Sequence, residues 1–138
     1  MNFFAIDFSN ILIKAIVRGY GSKIMKRIEA IVAAHKADST TSALMGIGLG
    51  GLTVYNSKGK GSMERPMVAS GRASHAFRAE YNSNATIVTI VKDSMVDKVV
   101  QKIFETASTG LAGEGKIFIS DVIDTVDIGT KQRGESTI

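Results

Sequence analysis

Thr109-Gly110-Leu111-Ala112-Gly113-Glu114-Gly115-Lys116-Ile117-Phe118-Ile119-Ser120-Asp121-Val122 sets a glycine-rich turn directly before a run of strand-forming residues. Glycines at 110, 113 and 115 allow backbone amides to approach an anion closely, and Lys116 adds a positive charge where the turn ends. From Lys116 to Ile123 the chain reads as a strand. A second turn of the same kind, Lys58-Gly59-Lys60-Gly61-Ser62, follows another strand-like run. Either turn alone is weak evidence, because Gly-Lys turns are common. Two of them in one small domain, each at a strand edge, point to a phosphate-bearing ligand.

Outward from this segment the pattern is regular. Val96, Val99, Val100, Ile103 and Ala107 form an apolar stripe at helical spacing, with Asp93, Ser94 and Asp97 supplying an N-terminal cap and Gly110 a stop. Ala85 to Val91 is the clearest strand in the chain. Between Lys58 and Asn84 hydrophobic periodicity vanishes, which predicts a long loop, and loops of that length inside a domain are usually functional. Leu52 to Asn56 alternates as a strand. Asp38, Ser39, Thr40 and Thr41 offer caps for a short helix carrying Ala43, Leu44 and Ile47, which Gly48, Gly50 and Gly51 end. Met25 to Val32 reads as the first strand. The order is that of an α+β, ferredoxin-like βαββαβ domain with a long loop between its second and third strands. Both helices then cover one sheet face, and burial of the other calls for subunit association.

Composition is consistent with one such domain: 138 residues, 44% hydrophobic and 22% charged. The absence of cysteine fits a reducing cytoplasm. Net charge is +4, but residues 58–82 carry five basic and two acidic side chains while the rest outside 1–36 is acidic by three. Such a local excess suits an anion or an acidic partner, and nucleic acid is not expected. Residues 1–24 form an N-terminal extension ahead of the domain at 25–138. Asp7, Asn10 and Lys14 interrupt its apolar run, which is too short and too broken to span a bilayer. It reads as an extra strand or helix packed on the domain.

Other motifs do not lead to chemistry. Gly46-Ile47-Gly48-Leu49-Gly50-Gly51 fits G-x-G-x-x-G, but a helix precedes it and a strand follows, the reverse of a dinucleotide fingerprint, so it is a turn. His35 and His75 are the only histidines, and nothing has metal-ligand or catalytic-triad spacing. No catalytic residue and no metal are expected.

The quoted residues resemble a known family. Met25-Lys26-Arg27-Ile28-Glu29-Ala30-Ile31-Val32 resembles the start of PII signal-transduction proteins, Gly51-Leu52-Thr53-Val54 their second strand, and Thr109 to Val122 their T-G-x-x-G-D-G-K-I-F-V-x-D-V signature. Gly134-Glu135-Ser136-Thr137-Ile138 is similar to their ending. The resemblance implies a homotrimeric nitrogen-regulatory sensor, not an enzyme. Its lateral clefts would bind ATP or ADP, with or without magnesium, and its T-loop would dock on a regulated enzyme or membrane transporter. Carried onto this chain, the T-loop is 60–81, with Arg65, Arg72, Arg78 and Tyr81 facing a partner. The phosphate-binding loop is 109–116 and the C-terminal tail 127–138. Thr109, Gly113, Glu114, Gly115 and Lys116, with Gly59, Lys60, Gly61 and Ser62, would hold the phosphates, and Ile31 and Thr53 would lie near the adenine.

The chain also departs from the family. Ser62 and Met63 stand where arginine and glutamine are usual. Asn84 stands near the position of the lysine that holds 2-oxoglutarate, which makes that ligand doubtful. Asp127-Ile128-Gly129 replaces an R-x-R pair that grips phosphate, a change that weakens triphosphate binding unless Lys131 and Arg133 fold back as substitutes. Arg78-Ala79-Glu80-Tyr81 is similar to the family's R-G-A-E-Y modification site, yet Tyr81 falls late in the loop and reads as a structural tyrosine at the start of the third strand. These departures favour the alternative of an adaptor that binds a partner without effective nucleotide sensing.

Overall fold

Alternation builds the central strand, β1 (Met25–Ala33): Ile28, Ala30 and Val32 are buried, and the residues between them are less so. The computed structural model describes residues 24–69, 71 and 75–138. The expectations for the N-terminal extension before Ile24, and for Arg72, lie outside the described residues. β1 pairs antiparallel with β5 (Asn82–Lys92) on one side and with β6 (Lys116–Asp121) on the other. β2 (Thr53–Gly59) pairs with the free side of β5, so the sheet order is β2-β5-β1-β6. Helices α1 (Ala37–Gly46) and α2 (Val96–Ala107) follow β1 and β5. The fold is the expected ferredoxin-like α+β arrangement.

Ladder register sorts the side chains. Ala30, Ile87, Val54 and Ile117 share one row, on the face where Leu44 of α1 and Val99 and Ile103 of α2 complete the core. The neighbouring row, Ile31, Thr86, Tyr55 and Lys116, belongs to the opposite face. That face carries Ile31, Val88, Ile90, Tyr55 and Phe118, and neither helix covers it.

Two expectations need correction. The caps at Asp38–Thr41 and Ser94/Asp97 do not form: short 3-10 turns, Ala34–Lys36 and Asp93–Met95, lead into both helices, and neither helix has a side-chain cap. Ser39 and Thr41 instead donate to the carbonyls of Lys36 and Asp38, three residues back. The long loop is partly ordered. Ser57, Lys58 and Gly59 continue the ladder against Asn84, Ser83 and Asn82, because backbone pairing needs no apolar side chain. Between them lies a ribbon, β3 (Met67–Ala69) with β4 (Ala76–Arg78), extended by an Ala79 N–H donated to the Pro66 carbonyl.

The C-terminal segment is a packed strap. Val122 N–H donates to Met25 O, Val126 and Arg133 bridge across a tight turn at Asp127–Lys131, and Glu135 pairs with Lys92 at 2.9 Å. Ile138 ends against Gly50, where a built Cβ would lie 3.1 Å from the Ile138 carbonyl carbon. The strap thus crosses the end of the sheet where β1 begins and β5 ends, away from both glycine-lysine turns.

Candidate functional site

The two glycine-lysine turns meet at the other end of the sheet. Lys116 opens β6 directly opposite Ile31 on β1. Gly115 crosses β1 so closely that a Cβ there would collide with the Ile31 carbonyl oxygen. Gly113 has φ of 84°, and the space its side chain would need is taken by the Ser62 hydroxyl and by Met63, whose Cγ would lie 3.3 Å away. The root of the long loop therefore rests on the phosphate-loop candidate. Around this junction lies an open cleft of about 920 Å³.

Ten of the eleven residues expected to hold a nucleotide line it: Ile31, Gly59, Lys60, Gly61, Ser62, Thr109, Gly113, Glu114, Gly115 and Lys116. Thr53 does not. It lies on β2, the edge strand farthest from β6, level with Val88 and Glu29 in the middle of the sheet, with β5 and β1 between it and β6. Asp127, Lys131 and Arg133 belong to the strap at the other end of the sheet. Arg133 is bound to the Asp124 carboxylate, and Asp127 accepts from the Thr130 N–H and hydroxyl at 2.6 and 2.8 Å. The tail cations do not fold back onto their own chain's cleft.

Sequence reasoning missed several wall residues, notably His35, Lys36 and Asn82, whereas Met63 and Asn84, singled out as departures from the family, line the cleft too. A topological signal existed for two of them, since Ala34–Lys36 directly follows β1 and so emerges where β6 begins. Asn84 lies beneath Gly59, which leaves no room for a Cβ beside its amide nitrogen. A smaller, largely apolar recess of about 380 Å³ adjoins the cleft between α2 and β6, sharing Ile31, Gly115 and Lys116 with it.

Glu114 closes the turn on itself. Its carboxylate accepts from the Ser108 hydroxyl at 2.8 Å, from the Thr109 N–H and hydroxyl, and from the Gly110 N–H at 3.2 Å. The Thr109 hydroxyl first, then Ser108 and the Thr109 amide, hold it at a pKa of about 2 against an ordinary 4.5. A carboxylate depressed on folding stabilises the fold above its unfolded pKa and loses that contribution as pH falls toward the folded value. Glu114→Gln is therefore expected to be less stable than the parent at pH 7, with the gap closing between pH 4.5 and about 2. Thermal unfolding of both proteins across that range tests it, and a gap that stays constant refutes it.

Among the described residues the loop's two arginines are used internally. Arg78 pairs with Glu64 at 2.9 Å, and Arg65 donates to the Glu80 carbonyl at 3.3 Å. Tyr81 stands just before β5, with Lys60 Nζ 5.5 Å from the centre of its ring. Among the described residues no group of acids, histidines or cysteines is arranged to hold a metal ion, and no helix is long and apolar enough to cross a membrane.

This architecture has close parallels. The family model described as nitrogen regulatory protein P-II matches residues 25–132. Nitrogen regulatory protein P-II of Microchaete diplosiphon is 35% identical over 114 residues, and that of Azospirillum brasilense 32%; each match covers 83% of this chain and all of the relative. P-II 1 of Escherichia coli K12 is 33% identical at the same coverage. Among solved structures, Arabidopsis thaliana PII bound to citrate superposes with a TM-score of 0.65 at 28% identity, covering 83% of this chain and 92% of that one. Bacillus subtilis GlnK shares the fold at the same TM-score and 22% identity. A sheet of this order, two glycine turns meeting at one of its ends and a family match spanning most of the sequence have one reading: the chain belongs to the nitrogen regulatory protein P-II family.

Proposed function

We propose that the chain is a P-II-type regulatory sensor whose cleft takes an adenine nucleotide and whose 60–81 loop reports occupancy to a regulated enzyme or transporter. One observation carries the reading. The two glycine-lysine turns and both roots of the long loop share a single cleft, so a ligand held there touches the element that would meet a partner. Lys36, Lys60 and Lys116 supply positive charge for phosphates, and Ile31 with the adjoining recess offers an apolar wall for a base.

Thr53 lies on the far edge strand and the Asp127–Gly129 segment at the opposite end of the sheet, so they reach a nucleotide only from a second copy. That arrangement agrees with clefts between subunits of a homotrimer, as does the uncovered row of Ile31, Tyr55, Val88, Ile90 and Phe118. Asp127 would then face the phosphates with the wrong sign, which favours a nucleotide carrying less charge than ATP.

Titration calorimetry with ATP, ADP and AMP, with magnesium and with or without 2-oxoglutarate, tests the reading. Micromolar binding, tighter for ADP or AMP than for ATP, is expected, with little response to 2-oxoglutarate because Asn84 offers no charge. A second reading, an adaptor that docks without sensing nucleotide, is favoured by the Thr109 and Gly110 amides being occupied by Glu114. Absence of heat for all three nucleotides, with partner capture unaffected by them, selects it.

A further inference from the structure

The 60–81 loop is closed at its base by several contacts between its two legs. Arg65 donates to the Glu80 carbonyl, Arg78 pairs with Glu64, and the Asn82 amide reaches the Met63 carbonyl at 3.5 Å. Lys60 lies over the ring of Tyr81, 5.5 Å from its centre. The cations of these braces differ in one respect. Among the described residues Arg65 and Arg78 stay outside the cleft wall, whereas Lys60 belongs to it. Among the described residues only the Lys60–Tyr81 contact joins the two legs through a cation that an anion in the cleft can reach.

We propose that Tyr81 is the resting partner of Lys60, and that an incoming phosphate takes Lys60 from the ring and loosens the base of the loop. The proposal rests on the nucleotide reading above and adds its coupling device. A phosphate competes well for this lysine. A charge-assisted N–H···O bond is stronger than a cation–π contact at an exposed residue, and Tyr81 is 41% exposed. Release has a mechanical consequence because the ribbon beyond the base has little of its own to hold it. All six residues of β3 and β4 are exposed, and a two-stranded ribbon packed on nothing is marginal in water. Glu64 also lines the cleft, so an anion arriving beside it disfavours the Arg78 brace's acidic partner at the same moment.

The ring, not the hydroxyl, does the holding, which separates the variants. Tyr81→Phe is expected to behave as the parent. Tyr81→Leu removes the competitor and is expected to bind ATP, or inorganic tripolyphosphate as the anion alone, about two- to five-fold more tightly. In a Lys60→Met background the same Tyr81→Leu change is expected to alter affinity by less than about 1.5-fold, since nothing remains to release. Amide exchange across Met67–Ala69 and Ala76–Arg78 is expected to quicken on adding ATP to the parent, and to be fast in Tyr81→Leu without it. Equal affinity of parent and Tyr81→Leu, or the same gain in the Lys60→Met background, overturns the proposal. A parent that binds no nucleotide defeats the nucleotide reading instead. Ribbon exchange in the free proteins then still decides whether Tyr81 holds Lys60: faster in Tyr81→Leu supports it, and unchanged refutes it.

Discussion

Gly115→Ala is expected to cost about 1–3 kcal/mol of stability and to remove most nucleotide binding, although it adds a single methyl group. The reason is where that methyl would go. It collides with the Ile31 carbonyl oxygen and lies 3.4 Å from the Ile31 carbonyl carbon and 3.7 Å from Val32 Cα. All of these are backbone atoms of the central strand, so no side chain can rotate to make room. Either β6 shifts away from β1 at the Ile31–Lys116 pair or the turn moves off the strand. Each outcome displaces Lys116 and Gly113 from the cleft they line. Gly51→Ala is the matched control, because a Cβ there meets nothing within 4 Å. Urea unfolding and calorimetry on both variants are expected to separate them clearly. Indistinguishable midpoints and affinities would mean that the turn tolerates displacement and that the close crossing is not what shapes the site.

The same crossing shows what could and could not be read from the chain. Ile28, Ala30, Val32 and the stripe Val99–Ile103 announce themselves through spacing, because burial on one face is a periodic demand. The order of elements followed from that, and with it the four-stranded sheet. The turns at 58–62 and 109–116 were legible as glycine-lysine segments, but their meeting was not. That Ser62 fills the space above Gly113 depends on two ends of a sheet arriving together, which no local pattern encodes. Thr53 went the other way: a residue grouped with the site by resemblance lies on the far edge strand of its own chain's sheet, and in the proposed assembly a second copy would supply it. The caps failed for a related reason. Asp38, Ser39 and Ser94 are good capping residues in isolation, yet the chain leaves each strand through a 3-10 turn in which the Ala37 and Val96 N–H groups donate to the Ala34 and Asp93 carbonyls, and Ser94 lies inside its turn and not at a helix cap. Polar ladder residues such as Ser57 and Asn84 were invisible because hydrophobic period reports burial, not backbone pairing. The C-terminal strap escaped notice likewise, since it is held by polar contacts such as Arg133 to Asp124 and Thr125 to the Gly134 carbonyl at 3.0 Å.

Helix α1 supplies the other large effect, and it comes with its own opposite. The helix is short, weakly amphipathic and rich in serine and threonine, and its only buried residues are Thr40 and Leu44. Leu44 is 0% exposed and joins the cluster of Ile28, Ile87 and Val99. Its attachment to the sheet therefore depends largely on one side chain. Leu44→Ala is expected to destabilise the protein by about 2–5 kcal/mol, the range for a fully buried leucine whose neighbours cannot collapse into the space. One turn earlier, Thr40 is equally buried, and its hydroxyl has no hydrogen-bond partner. An unpaired buried hydroxyl costs about 1–3 kcal/mol, so Thr40→Val, which keeps the shape and removes the polar atom, is expected to stabilise the protein. Urea unfolding at one fixed protein concentration should move the midpoint down for Leu44→Ala and up for Thr40→Val, the fixed concentration keeping any subunit association constant between variants. A Thr40→Val midpoint below that of the parent would show that the hydroxyl has found a partner, such as a buried water, and that α1 is anchored by two contacts and not one.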